Sequence, residues 1–104
     1  MESPNEPQPN SADAGEEANQ RSIALMANVA EGDLEAFESL VEMHQHAVVG
    51  TVAKMLGNAS DAEDIAQQVF IRVWKSAARY KPSAKFTTWL FTITRNLVLS
   101  LIHI

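Results

Sequence analysis

Residues 60–96 read SDAEDIAQQVFIRVWKSAARYKPSAKFTTWLFTITRN, and this stretch decides how the chain folds. It joins an acidic helix start to a basic, aromatic-rich loop and then to a second amphipathic segment. All six Lys and Arg residues after position 71 lie within it, and no Asp or Glu follows Asp64. The net charge of −5 therefore conceals a positive C-terminal third. Charge asymmetry of this kind predicts a face that binds nucleic acid.

The composition sets the size and class of the protein. A chain of 104 residues with 46% apolar side chains provides one small domain with a modest core. The absence of Cys excludes disulfides and thiolate metal sites. The sequence contains neither an apolar signal-peptide core nor a run long enough to cross a bilayer. We therefore expect a soluble cytoplasmic protein with no membrane association.

The N-terminal segment, residues 1–21, has the composition of an acidic disordered tail. It is rich in Pro, Asn, Ser, Ala and Glu, and it contains no large apolar residue after Met1. Such a segment buries too little surface to offset its ordering entropy, so we predict disorder. The tail is either a solvated leader or an acidic competitor for the basic face.

Residues 22–98 show apolar residues at spacings of three and four, which predicts a small all-α bundle of three to four helices. We expect a short first helix capped by Ser22 and ended by Gly32. Asp33 is the expected cap of a long second helix, which Gly57 should end.

The second half of the bundle has its own start signals. Ser60 and Glu63 have the spacing of a capping box, which predicts a third helix. Pro82 disfavours helix at the residue before it, so a loop should follow. Ser83 is then the expected cap of a fourth helix, with Phe86 turned inward.

The ordered combination of short motifs between Gly32 and Asn96 resembles region 2 of the extracytoplasmic-function (ECF) sigma factors of bacterial RNA polymerase. Each motif is weak alone, but their order without gaps is specific. The matching motifs are Gly32-Asp33 with Ala36-Phe37, Leu56-Gly57-Asn58, Asp61-Ala62-Glu63-Asp64-Ile65 with Gln67, Val69-Phe70 with Arg72 and Trp74, Lys81-Pro82, and Phe86 with Trp89-Leu90, Ile93 and Arg95-Asn96.

The resemblance implies that the polar face of the third helix docks on the coiled coil of the polymerase β′ subunit. Many relatives have Glu where this chain has Gln68, so an ion pair is replaced here by a neutral hydrogen bond. The resemblance also admits an anti-sigma factor as a further partner. The candidate polymerase-binding residues are Asp64, Gln67, Gln68, Ile71 and Trp74.

The resemblance further implies that the loop before the last helix captures a flipped base of the −10 promoter element, and that the last helix lines the non-template strand. The domain would thus recognise and melt the −10 element and direct transcription initiation. The candidate DNA-binding residues are Tyr80, Lys81, Ser83, Lys85, Phe86, Thr87, Thr88, Trp89, Thr92, Arg95 and Asn96.

The side chains support this interpretation on physical grounds. Unstacking a base costs on the order of a few kcal/mol, and an aromatic platform returns about 1–3 kcal/mol per stacked base. Tyr80 and Phe86 flank the loop as candidate platforms, while Asn96 is the best candidate to read a base edge. Phe86 and Trp89 are also candidates for the core, and the pattern alone does not decide between these roles.

Catalysis and metal binding find little support in the sequence. Helix capping explains Asp61 and Glu63 more simply than a metal or acid–base site does. His44 and His46 lie two positions apart on a helix and point in different directions, so they do not chelate one ion together. We therefore expect no cofactor, no metal and no enzymatic activity.

The C-terminal hexapeptide, residues 99–104, departs from the resemblance. LSLIHI is what CTG-TCT-CTT-ATA-CAC-ATC encodes, a transposon end used in sequencing libraries. We expect this tail to be non-native and the native gene to continue into a region 4; the alternative is a short genuine tail.

The alternative to a sigma function is a small helical interaction protein whose basic face binds an acidic protein.

Overall fold

In the computed structural model, the backbone is described for residues 11–102 and the side chains for residues 14–102. This part of the chain contains four α-helices and one 3₁₀ turn, so the predicted all-α bundle is confirmed. The elements in chain order are α1 (Ser11–Ala30), α2 (Leu34–Leu56), α3 (Ala62–Ser76), a 3₁₀ helix (Ala77–Arg79) and α4 (Phe86–Ile102).

The signals around α2 act as predicted. Gly32, with φ of 91°, ends the turn after α1, a conformation that glycine adopts without strain. The Asp33 side chain then accepts the amide of Ala36 at 3.1 Å and caps α2. At the other end, Gly57 takes the left-handed conformation that stops the helix.

The core forms where α2 and α3 pack together and α1 and α4 close over them. Its central side chains are 0% exposed and come from three helices, α2, α3 and α4. Burial of each such side chain stabilises the fold by about 1.5–3 kcal/mol. These central residues are Leu40, Val48, Val52, Val69, Val73, Leu90 and Val98.

The first helix is longer than predicted. It begins at Ser11 rather than after Ser22, so residues 11–21 are helical where a disordered tail was expected; residues 1–10 lie outside the described residues. Ser22 is not a cap but a buried side chain in mid-helix, with its hydroxyl 2.8 Å from His44 Nε2. Tertiary contacts of this kind order a helix that its composition alone does not stabilise.

The predicted capping box at the start of α3 is absent. The amide of Ser60, which the Glu63 carboxylate would have to accept, donates instead to Asn58 Oδ1 at 3.0 Å. This is the local turn that Asn side chains favour. Asp61 occupies the position before the helix and makes no side-chain bond there.

The predicted cap of α4 is also wrong. Ser83 lies in the loop, where its amide donates to the carbonyl of Lys81 at 2.8 Å. The helix begins at Phe86, and the Phe86 amide donates at 2.7 Å to the side chain of Asn19 in α1.

Within residues 11–102, none of these helices has the length and apolar character needed to span a membrane.

Candidate protein-docking and nucleic-acid surfaces

The outer surface of α3 carries the five residues assigned to polymerase binding, and we call it the docking face. Its members follow one another at helical spacings of three and four, so they share one side of the helix. All five are exposed, with Ile71 at 51% and Trp74 at 37%. The docking face consists of Asp64, Gln67, Gln68, Ile71 and Trp74.

The opposite side of α3 explains why this face points outward. Ile65, Val69, Phe70 and Val73 are buried against the rest of the bundle. A 15-residue helix with one strongly apolar side has only one orientation that buries it. The docking face is therefore a direct consequence of the hydrophobic pattern of α3.

A groove of about 480 Å³ lies between α2 and α3, beside the docking face. Gln67 and Ile71 contribute to its α3 wall, so the groove and the docking face are continuous. The α2 wall was not predicted from the sequence. This wall consists of Phe37, Val41, Gln45, His46 and Val49.

Trp74 is fixed in place by an aromatic contact to α2. Its ring meets that of Phe37 edge to face, with centroids 5.2 Å apart and planes at 73°. Such pairs contribute about 0.5–1.5 kcal/mol beyond the area that they bury. The exposed part of Trp74 is thus presented in a defined orientation.

The second surface comprises the 80–85 loop and one side of α4. Lys81, Ser83 and Lys85 are exposed in the loop. Along α4, exposed polar side chains at spacings of three and four form what we call the α4 stripe, and Thr87 lies beside it. The α4 stripe consists of Thr88, Thr92, Arg95 and Asn96.

Two members of the α4 stripe differ in the hydrogen bonds that they can offer. The Thr92 hydroxyl donates to the carbonyl of Thr88 at 2.8 Å, so only its acceptor capacity remains for a ligand. Asn96 is exposed one turn later, and its amide can both donate and accept. Asn96 therefore keeps the role of best candidate for contact with a base edge.

An aromatic cluster underlies the loop. Tyr80 and Trp89 meet edge to face at 4.8 Å, and Phe86 lies 5.8 Å from Trp89 and 6.0 Å from Tyr80. The ring of His44 lies 5.0 Å from that of Phe86. The cluster joins the loop and the start of α4 to α2.

Burial separates these aromatic residues into different roles. The sequence left Phe86 as a candidate both for the core and for stacking; it is only 1% exposed and enters the core at the first turn of α4. Trp89 is half-buried in the same cluster, which favours a structural role. Tyr80, at the start of the loop, is also half-buried.

Two groups beneath the loop have perturbed acidities. Burial lowers the pKa of His44, which favours the neutral imidazole, and its Nε2 is hydrogen-bonded to the Ser22 hydroxyl. Burial raises the pKa of Tyr80. Among the side chains of residues 14–102, the Tyr80 hydroxyl is the buried polar group that has no hydrogen-bond partner.

The chain is similar in sequence to known proteins. The family model for Sigma-70 region 2 matches residues 40–103. The chain is 38% identical over 75 residues to the ECF RNA polymerase sigma factor SigW of Bacillus subtilis, covering 72% of this chain and 40% of SigW. It is 39% identical over 71 residues to the RNA polymerase sigma factor CarQ of Myxococcus xanthus, covering 68% of this chain and 41% of CarQ.

A solved structure shows the same architecture. An engineered region 2 of sigmaE, determined by NMR in complex with GTAAAA, matches with a TM-score of 0.72 and 30% identity. The match covers 78% of this chain and 84% of that one. The chain spans about two fifths of the length of the curated relatives named above, at 40% and 41%.

Proposed function

Because the chain belongs to the Sigma-70 region 2 family, we propose that it docks on the β′ coiled coil of RNA polymerase and recognises and melts the −10 promoter element, directing transcription initiation. The observation that carries this proposal is the presence of two separate exposed surfaces on one small bundle. The docking face offers amides and apolar side chains, whereas the loop and the α4 stripe offer cations and polar groups. Such a function is one of binding and needs no bond chemistry.

The docking face has the character of a protein interface. Trp74 and Ile71 supply apolar surface, and interface energy concentrates in such partly exposed, large side chains. Gln67 and Gln68 are neutral, so their contribution is hydrogen bonding rather than long-range attraction. The adjoining groove enlarges the apolar surface available to a helical partner. An anti-sigma factor that binds this domain would compete with polymerase if it covered the same face.

The loop surface suits single-stranded DNA. Lys81, Lys85 and Arg95 are exposed, and no carboxylate lies after Asp64 to compensate them. Each phosphate that they neutralise adds about 0.7 to the slope of log affinity against log salt for single strands. These cations attract any sequence, and the α4 stripe adds contacts that depend on the base.

Melting follows if the exposed strand is held better than the duplex. A base that leaves the stack costs on the order of a few kcal/mol, and stacking on a protein ring returns about 1–3 kcal/mol. With Phe86 buried, Tyr80 is the aromatic residue available at the loop. Ser83 and the loop backbone supply polar groups for a captured base.

The test measures the two surfaces separately. We expect Asp64→Ala and Gln67→Ala to weaken binding to the β′ coiled coil and to leave DNA binding unchanged. We expect the single strand GTAAAA, the ligand of the sigmaE structure, to bind better than the same sequence in a duplex. Lys85→Gln should lower the salt slope by about 0.7.

Lys54→Gln is the matched control for the loss of one charge, since Lys54 lies in the last turn of α2. Equal affinity of the folded protein for single strand and duplex would contradict promoter melting. An acidic protein that binds the basic face, and that DNA does not displace, would favour the alternative interaction protein.

A further inference from the structure

The start of α4 depends on a residue far away in the sequence. The amide of Phe86 donates to Asn19 Oδ1 at 2.7 Å, a bond between residues 67 positions apart. Asn19 lies in the part of α1 that the composition did not predict to be helical. It is half-buried, whereas its neighbours Ala18 and Gln20 are exposed.

The local sequence cannot supply this cap. The carbonyl of Lys85 accepts the amides of Thr88 and Trp89 at 3.1 and 3.4 Å, so Lys85 occupies the position just before the helix. A lysine side chain has no acceptor for a helix amide. Ser83, the nearest upstream hydroxyl, is part of the loop, so the acceptor comes from α1 instead.

A second contact holds the same end of α4. Ser22 lies one turn after Asn19 on α1, and its hydroxyl is 2.8 Å from His44 Nε2. The His44 ring in turn lies 5.0 Å from that of Phe86. The backbone amide of Phe86 is thus hydrogen-bonded directly to α1, and its ring packs against His44, which is itself hydrogen-bonded to α1.

The position of Phe86 sets the position of the proposed DNA surface, which comprises the 80–85 loop and the α4 stripe. The 80–85 loop ends at Phe86, and the α4 stripe begins two residues later. We infer that Asn19 is a positioning residue for promoter DNA, because its side chain fixes the point where the loop becomes helix. The inference rests on the function proposed above, and it assigns to α1 a role in DNA binding without contact to DNA.

The experiment compares three variants of the full chain. Asn19→Ala removes the acceptor, and Asn19→Asp keeps an acceptor at the same place. Gln20→Ala is the matched control, because Gln20 is exposed and its side chain bonds only within α1, to Glu16 at 2.9 Å. Hydrogen exchange of individual amides, affinity for single-stranded GTAAAA and affinity for the β′ coiled coil are measured for each.

We expect Asn19→Ala to speed exchange of the Phe86 amide about fivefold, as loss of a helix cap does, and to weaken GTAAAA binding by a similar factor of about five. Binding to the β′ coiled coil should stay unchanged, since the docking face lies on α3. Asn19→Asp should keep the Phe86 amide protected, and Gln20→Ala should behave as wild type in every measurement.

Three outcomes would overturn the inference. Unchanged Phe86 exchange in Asn19→Ala would show that the bond does not hold the helix. Loss of DNA and β′ binding together would indicate general destabilisation rather than positioning. Faster exchange of the Phe86 amide with unaltered DNA affinity would show that the cap holds the helix but plays no part in DNA binding. A wild-type protein that binds β′ but neither GTAAAA nor other single strands would instead contradict the proposed function, and the positioning role with it.

Discussion

The docking face and the proposed DNA surface differ in how many elements build them. The docking face belongs to one helix, and the packing of α3 alone turns its five side chains outward. The DNA surface requires α1, α2 and α4 together, since Asn19 bonds the first amide of α4 and His44 packs on its first ring. One surface is thus local in sequence and the other is a product of tertiary structure.

This difference determines what a mutation reports. Except for Trp74, which packs against Phe37 of α2, the side chains of the docking face are exposed on α3, so their substitution should change binding with little change in stability. Residues beneath the 80–85 loop are core residues as well, so their substitution should change both. Measuring both the free energy of unfolding and the binding affinity of each variant therefore tests whether the two surfaces differ in this way.

The largest expected effect is that of Phe86→Ala. Phe86 is 1% exposed and contacts Tyr80, Trp89 and His44, so its truncation leaves a cavity in the core. We expect the free energy of unfolding to fall by about 3–5 kcal/mol, measured by urea denaturation. For a domain of this size such a loss is a large share of the total stability.

Phe86→Leu is the control that keeps an apolar side chain in place. It should cost clearly less than the alanine variant, because part of the cavity is filled. A stable Phe86→Ala protein that loses only DNA affinity would favour the stacking role that the sequence left open for Phe86. Phe86 would then act as a surface residue, and the contrast with the docking face would not hold at this position.

The exposed side of α3 and the ends of α2 at Asp33 and Gly57 could be predicted from the sequence, because those features depend on residues within a few positions of one another. It failed where a distant residue competed with a local one. Asn58 took the Ser60 amide that the capping box needed, and Asn19 replaced Ser83 as the cap of α4. No spacing rule relates Asn19 to Phe86, so the added length of α1 could not be found in its composition.

The next effect in size concerns the docking face. Ile71 is 51% exposed and borders the groove between α2 and α3. We expect Ile71→Ala to weaken binding to the β′ coiled coil about tenfold, the size typical of an apolar interface contact. Its free energy of unfolding should stay within about 0.5 kcal/mol of wild type.

Leu99→Ala is the matched control for Ile71→Ala. Leu99 is 47% exposed on α4, whereas the docking face lies on α3, so its truncation removes a similar exposed aliphatic side chain from a different helix. It should leave β′ affinity unchanged. Equal losses from both variants, measured by titration against the β′ coiled coil, would mean that the α3 surface is not the specific contact.

A smaller effect of opposite sign is expected from Tyr80→Phe. The Tyr80 hydroxyl is buried without a partner among the described residues, and burial of an unsatisfied polar group is unfavourable. We expect its removal to raise the free energy of unfolding by about 1 kcal/mol, with single-strand binding retained because the ring remains. Tyr80→Leu, which removes the ring, should weaken GTAAAA binding. A destabilised phenylalanine variant would show that the hydroxyl has a partner after all.

The smallest effect is a pH dependence that originates at His44. Burial holds the pKa of His44 in the folded protein below its ordinary value of 6.5, so below that pH the unfolded chain takes up the proton first. The contribution to stability is thus complete above pH 6.5 and is lost as the pH falls towards the folded pKa. Thermal unfolding between pH 7.5 and about 5 should show this loss in wild type and in His46→Gln, an exposed control. His44→Gln cannot titrate, so its stability should fall less steeply over the same interval, whatever its absolute value. Parallel slopes in all three proteins would mean that the imidazole packed against Phe86 is solvated when charged.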